Sequence, residues 1–194
     1  VNAGPRNRFT VKGPNNEPIL VHNCGNVYSD SGDTVHFDIS SRVNALKEVI
    51  AESSHKVLVF VPYRHTIAVV SEMLNKAHIP TEIIDGSIPV TKRTDIFNRF
   101  QTKDDIQVLV IQPQAASHGV TLHAANTIVY WSPVMSVETY LQCNARVHRA
   151  GQKNPTTVIH LQGSSVERRV YAMLQGKIDT HTKLIDLYKE EFEE

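Results

Sequence analysis

An α/β fold is what this sequence predicts: a mostly parallel sheet flanked by helices, carrying a short β-rich N-terminal appendage. From Ser41 onward, strand-like and helix-like segments alternate at least four times, and strand–helix–strand units with right-handed crossovers build parallel sheets. One of the strand-like runs, VLVFVP (57–62), is a continuous β-branched and aromatic run, as a strand buried on both faces requires; QVLVIQ (107–112) is a further strand. Residues 1–40 read differently. There GP, PNNEP and SDSGD separate short β-like runs at Arg8–Val11, Ile19–His22 and Thr34–Ile39, a pattern of turns between brief strands.

The elements follow in order. RVNALKEVIAES carries Val43, Leu46, Val49 and Ile50 at helical spacing. After the strand at 57–62, His65–Ala77 is helical with Ile67, Val70, Met73 and Leu74 on one side. TEIID (81–85), the helix TKRTDIFNRFQ (91–101) and the strand QVLVIQ come next, then a loop, TIVYW (127–131), a helix over Val137–Val147 and TTVIHLQ (156–162). A long helix starts at about Ser165, with Val166, Val170, Met173, Leu174, Ile178, Leu184 and Leu187 as its apolar stripe. It ends in KEEFEE, a solvated acidic terminus.

Composition bounds the function without naming it. The 194 residues, 41% of them hydrophobic, suffice for one domain with a proper core. Twenty Lys+Arg balance twenty Asp+Glu, which excludes a polybasic coat but not a local basic strip. No apolar run approaches the roughly twenty residues of a membrane helix, and VNAGPRNRFT has no signal-peptide core. Cys24 and Cys143 lie far apart without metal-ligand spacing, so a reducing, cytoplasmic setting is expected rather than a disulfide scaffold. The zero balance is also an average. Without residues 1–23, which hold three bases and one acid, the remainder is mildly acidic at seventeen against nineteen. Yet from Ile106 to Val166 the bases are Arg146, Arg149 and Lys153, and Glu138 is the single carboxylate.

Ligands of such sheets gather at the carboxyl ends of the strands. Three strand ends carry unusual loops: Asp85-Gly86-Ser87, Gln112–Leu122, and Ser132-Pro133 leading to Arg146 and Arg149. Hydroxyls, backbone N–H groups and guanidinium forks in this stretch point to an anion site. The most informative string is QCNARVHRAGQ (142–152). On a helix Gln142, Arg146 and Arg149 share one face, where two arginines repel unless solvated or bridged by an anion. A solvated basic face is the plain alternative.

QCNARVHRAGQ resembles motif six of superfamily-two helicases, and its HRAGQ ending resembles the version in Swi/Snf-type double-stranded DNA translocases. VLVFVPYRHT is similar to motif four, and DGSIPVTKRTDIFNRFQ to the segment after it, whose Gly-x-x-x-x-x-x-Arg pattern starts a helix. IQPQAASHGVTLHAANTIVYWSPVMS is similar to motif five and its following strand. The order agrees from about Tyr28 to about Leu187. The resemblance implies the C-terminal RecA-like lobe of a two-lobed motor, with ATP and Mg2+ held mainly by an N-terminal RecA-like lobe. It implies that Arg149 is the main arginine finger, Arg146 its partner and Gln142 a nearby polar contact. Such fingers fit phosphoryl transfer, where the protein chiefly positions groups and neutralises charge. Gly119 and Thr121 would approach the nucleotide, although relatives usually carry Asn or Asp where Thr121 stands, and a small or apolar residue where His118 stands.

For double-stranded DNA, the resemblance implies sequence-independent backbone contacts by Arg64, Gly86, Ser87, Arg93, Gln114 and Ser117. A solvated helix start for Lys92 and Arg93, and helix capping for Gln114 and Ser117, are the plain alternatives. His123 and His160 read as structural. Neither a Gly-x-x-x-x-Gly-Lys-Ser/Thr loop nor a strand-borne acidic pair for magnesium occurs in these residues, so the chain alone is expected neither to hydrolyse ATP well nor to translocate. Its compactness suggests a phage or bacterial source.

The ending Val21-His22-Asn23-Cys24 resembles the C-terminal splice junction of an intein. There Asn23 would cyclise and break the following bond, His22 would assist, and Cys24 would be the acyl-accepting nucleophile. The domains expected are thus an intein tail at 1–23, a lead-in at 24–40 and the lobe at 41–194, whose C-terminal brace helix spans about 165–194. The intein's N-terminal blocks are absent from this sequence, so Asn23 would act with a complementary intein fragment. A splicing fragment on a passive domain, and a simple phosphate- or nucleotide-binding α/β domain, are the competing functions.

Overall fold

A computed structural model describes residues 8–12, 18–22, 26–28, 34–36, 39–117, 120–149 and 151–176, the first four strands as backbone alone. Those strands, β1 (Arg8–Lys12), β2 (Pro18–His22), β3 (Asn26–Tyr28) and β4 (Thr34–His36), form an antiparallel sheet in sequence order. Arg8 pairs with His22 and Lys12 with Pro18, while Val27 faces Val21 on one side and Val35 on the other. The last strand stops at His36; Ile39, expected in it, is the N-cap of the next helix.

The remaining elements are α1 (Ser40–Glu52), β5 (Lys56–Phe60), α2 (Arg64–Lys76), β6 (Thr81–Ile84), α3 (Val90–Thr102) and β7 (Val108–Ile111). They continue with a 3-10 turn (Pro113–Ser117), β8 (Ala125–Tyr130), α4 (Val137–Asn144), β9 (Thr157–His160) and α5 (Ser165–Leu174). The five strands β5–β9 make one sheet in the order β6-β7-β5-β8-β9, with every ladder parallel. The predicted α/β architecture is present.

Alternate residues along a strand face opposite sides, and the core divides accordingly. Leu58, Phe60, Leu109, Ile111, Ile128 and Tyr130 pack with residues of α3, α4 and α5. Val57, Val59, Val61, Val108, Val110, Val129 and Trp131 pack with residues of α1 and α2. The central strands are therefore buried on both faces, and the loops at the two edges of the sheet are left to carry chemistry. Among the described residues no helix is long and apolar enough to cross a membrane.

One polar device joins helices 125 residues apart in sequence. Arg42 of α1 makes a two-pronged contact with Glu167 of α5, at 3.0 and 2.6 Å, and donates to the Trp131 carbonyl at 2.6 Å. Glu167 also accepts from the Gly163 N–H at 2.6 Å. A Cβ on Gly163 would stand 2.6 Å from Arg42 Nη2, so a larger residue there would have to push the guanidinium out of this position. The pair is mostly buried, with side chains 17% and 11% exposed.

α4 ends earlier than its sequence suggests, at Asn144 rather than Val147. Tyr130 Oη donates to Asn144 Oδ1 at 2.9 Å, with the Tyr140 carbonyl as the alternative acceptor at 3.2 Å, fixing the helix end on β8. The apolar stripe of the C-terminal helix is in place through Leu174, with Val170, Met173 and Leu174 buried; Ile178, Leu184 and Leu187 lie outside the described residues.

Candidate functional site

The early end of α4 relocates the arginines. Residues 145–147 form a turn, and the Arg146 carbonyl accepts the Leu122 N–H at 2.8 Å. Gln142, Arg146 and Arg149 consequently do not share a helical face: Gln142 is on α4, and the two arginines are on the turn and loop beyond it. Gln142 Nε2 donates to Glu138 Oε1 at 3.0 Å, one helical turn away.

The edge of the sheet also differs from expectation. Leu122 accepts from the N–H of Ala125, the first residue of β8, and Arg146 is bonded to this same loop. By running back along β8, α4 delivers Arg146 and Arg149 to the amino edge of β8 and β9, not to a carboxyl-end loop. There Arg149 is exposed and its Nη1 donates to Thr121 Oγ1 at 3.2 Å. Gly151 turns the chain with φ +103°, a conformation natural to glycine. Gln152 then donates through Nε2 to the carbonyls of Ala125 at 2.8 Å and His123 at 3.3 Å. Its Oε1 accepts the Asn154 N–H at 3.0 Å. The two loops resembling motifs five and six are therefore bonded together, and an open depression lined by His148, Arg149, Gln152, Asn154, Pro155 and Thr156 lies beside them.

The carboxyl edge of β5, β6 and β7 collects the other group of residues. Asp85, at the end of β6, accepts from Ser87 N at 2.8 Å and Ser87 Oγ at 2.5 Å, a side chain closing its own turn. Arg64, at the start of α2, reaches Asp85 Oδ2 at 3.3 Å, with side chains 62% and 10% exposed respectively. Burial pushes the Asp85 carboxyl upward, but the Ser87 bonds and the Arg64 guanidinium outweigh it and hold the pKa below its ordinary value. Gly86 N–H donates to Gln112 Oε1 at 3.1 Å. Arg93, from α3, donates to the carbonyls of Ile88 at 2.7 Å and Gly86 at 3.3 Å.

Arg64, Gly86, Ser87 and Arg93 thus lie together around Asp85 and Gln112, which sequence reasoning did not select as site residues. The Asp-Gly-Ser turn was the available signal for Asp85. Gln114 is exposed on the 3-10 turn that also contains Ser117. Gly119, Asn23 and Cys24 lie outside the described residues, as does the side chain of His22. Gln152 was also passed over, though it stands in the same string as Arg149.

Cys143 is buried; burial pushes its thiol up to about 12, against the opposing pull of Arg146 and the Tyr130 hydroxyl, so it packs as a neutral group. His160 joins the core aromatics, its Nε2 3.0 Å from Tyr140 Oη and its ring 4.2 Å from that of Tyr171. His123 is exposed and contributes its carbonyl to Gln152. Among the described residues no group of three or more His, Cys, Asp or Glu side chains could hold a metal ion.

Known proteins resemble the chain along this same stretch. It is 28% identical over 140 residues to the chromatin-remodeling ATPase INO80 of Cryptococcus neoformans, covering 72% of this chain and 8% of that protein. It is 33% identical over 125 residues to a SWI/SNF-related matrix-associated actin-dependent regulator of chromatin subfamily A-like protein 1 homolog of Caenorhabditis elegans, covering 64% and 18%. With the ATP-dependent helicase fft2 of Schizosaccharomyces pombe it shares 26% over 143 residues, covering 72% and 11%. The chain therefore spans less than a fifth of each of these relatives. All three are eukaryotic and lend the expected phage or bacterial source no support. The crystal structure of the C-terminal part of the Fun30 ATPase domain has the same fold, with a TM-score of 0.67 at 20% identity over 77% of this chain and 51% of that one. Residues 41–151, more than half of the sequence, match the helicase conserved C-terminal domain, and the chain belongs to that family.

Proposed function

We propose that this chain is the second motor lobe of an ATP-dependent double-stranded DNA translocase of the Swi/Snf type, working with an N-terminal RecA-like lobe. Arg149 is the main arginine finger and Arg146 its partner, with Gln142, Gly119 and Thr121 as further candidates for contacting the nucleotide. Within a family-matched lobe, the observation carrying this reading is the contact of Arg149 Nη1 with Thr121 Oγ1. It puts an exposed guanidinium and a hydroxyl side by side, across two loops tied by backbone and side-chain bonds. That donor set suits phosphate oxygens. Arg64, Gly86, Ser87, Arg93, Gln114 and Ser117 are the candidates for holding the DNA backbone without reading its sequence.

The test combines the chain with an N-terminal lobe bearing the phosphate loop and measures DNA-stimulated ATP hydrolysis. Activity is expected only with both lobes. Arg149→Ala is expected to abolish it with folding intact, and retained activity in that variant would sink the finger assignment.

A second reading concerns the N-terminus and is compatible with the first. β1 and β2 pair as an antiparallel hairpin that ends at His22, directly before Asn23 and Cys24. This favours a protein-splicing tail fused to the lobe. Incubation with a complementary intein fragment is then expected to remove the mass of residues 1–23; an unchanged intact mass, with and without thiol, would count against it.

A further inference from the structure

Resting on the motor-lobe reading, we infer that Gln152 is the positioning residue that sets the Arg149 guanidinium in register with Thr121. Three facts converge on it. Its Nε2 spans the carbonyls of His123 and Ala125, its Oε1 takes the Asn154 N–H, and it lies three residues beyond Arg149 on the far side of the Gly151 turn. The side chain thereby closes the downstream end of the loop. Upstream, the Arg146 carbonyl holds the Leu122 N–H at 2.8 Å; downstream, Gln152 holds the residues immediately before β8 and its first residue. Arg149 is strung between these two anchors, opposite Thr121.

The chemistry singles out glutamine. The position needs two N–H donors and one acceptor on one planar group, which a carboxamide provides. Glutamate would turn an oxygen toward two carbonyl oxygens. Asparagine is one methylene shorter, and lysine or arginine has no acceptor for Asn154. The amide can also sit only one way round, since the flipped orientation would set oxygen against both carbonyls and NH2 against an N–H. A side chain with its donors and acceptor so engaged is held in place rather than offered to a ligand. Its effect on phosphate reaches through Arg149.

The experiment compares Gln152→Leu, Gln152→Glu and Arg149→Ala in the 194-residue chain. In the chain alone, hydrogen exchange is followed at the Leu122 N–H and melting temperature is recorded. With the N-terminal lobe and DNA present, kcat and KM for ATP are measured per folded molecule. Exchange at Leu122 is expected to accelerate in both Gln152 variants. Gln152→Leu is expected to lower kcat about 10- to 100-fold, the scale of a misplacement near 1 Å, while KM for ATP stays within about threefold because ground-state binding is largely retained. Gln152→Glu should regain part of its kcat as pH falls and its carboxyl takes up a proton that can again be donated. Gln152→Leu should show no such recovery.

Wild-type exchange at Leu122 together with wild-type kcat in Gln152→Leu would overturn the inference while leaving Arg149 in its role. Full activity in Arg149→Ala would instead overturn the finger assignment, absence of DNA-stimulated hydrolysis with both wild-type lobes would overturn the motor-lobe reading, and in either case the Leu122 exchange would still report whether Gln152 ties the loops.

Discussion

The two edges of the five-stranded sheet use arginine in opposite ways. At the carboxyl edge of β5–β7, Arg64 meets the mostly buried carboxylate of Asp85, and Arg93 meets two backbone carbonyls. Those guanidinium groups shape the loop they lie in. At the amino edge of β8 and β9, Arg149 is exposed and meets the hydroxyl of Thr121, within a stretch whose single carboxylate, Glu138, is engaged by Gln142. A guanidinium matched to a carboxylate has much of its charge answered at home. The Thr121 hydroxyl, by contrast, carries no formal charge to match the guanidinium beside it. Counting bases, as the net charge does, cannot separate the two cases.

Substitutions that part activity from stability sharpen this contrast. The largest effect is expected for Arg149→Ala, which should lower DNA-stimulated kcat by about 10³-fold or more, as for other arginine fingers, with no change in the denaturant midpoint. A large loss of stability would erase the contrast. Next is Arg42→Ala, which leaves Glu167 largely buried beside the Gly163 N–H; a cost of about 3 kcal/mol in urea unfolding is expected. Gly163→Ala should act in the same direction, because its Cβ would meet Arg42.

Arg93→Ala comes third. The loss of two bonds to carbonyls should cost about 1–2 kcal/mol, and the salt dependence of DNA binding reports whether the side chain also touches phosphate. A slope that falls by about one charge would support Arg93 as a DNA-backbone contact and would narrow the contrast to the loop-shaping bonds; an unchanged slope with lost stability would leave Arg93 a structural residue. The smallest effect concerns pH. The folded-state pKa of Asp85 lies below its ordinary 3.8, so its stabilisation is present above that value and is lost as pH falls through the folded-state pKa. With Arg64 largely open to solvent, the loss should not exceed about 1 kcal/mol. Asp85→Asn should flatten the acid limb of the stability profile.

Much of the fold was legible from periodicity. The run around Leu58 could only be satisfied by a strand covered on both faces, and the stripes through Leu46 and Leu74 by helices covering one face each. The end of α4 was not legible, because Asn144 is held by Tyr130 and the Arg146 carbonyl by Leu122. Those partners lie 14 and 24 residues back in the chain, beyond the reach of helical spacing. The candidate residues were named from the sequence, but their arrangement was not legible. Thr121 and Arg149 were both singled out, whereas their contact, 28 residues apart in sequence, arises from the return of the chain along β8.

By itself the sequence determined the alternation of elements, the burial of the strand around Leu58 and which arginines stand as candidates. These follow from local spacing and side-chain type, and backbone sterics with hydrophobic burial translate them directly. Only the tertiary structure decided which edge each arginine occupies and what answers its charge. Those depend on hydrogen bonds between distant loops, made after the sheet has brought them together.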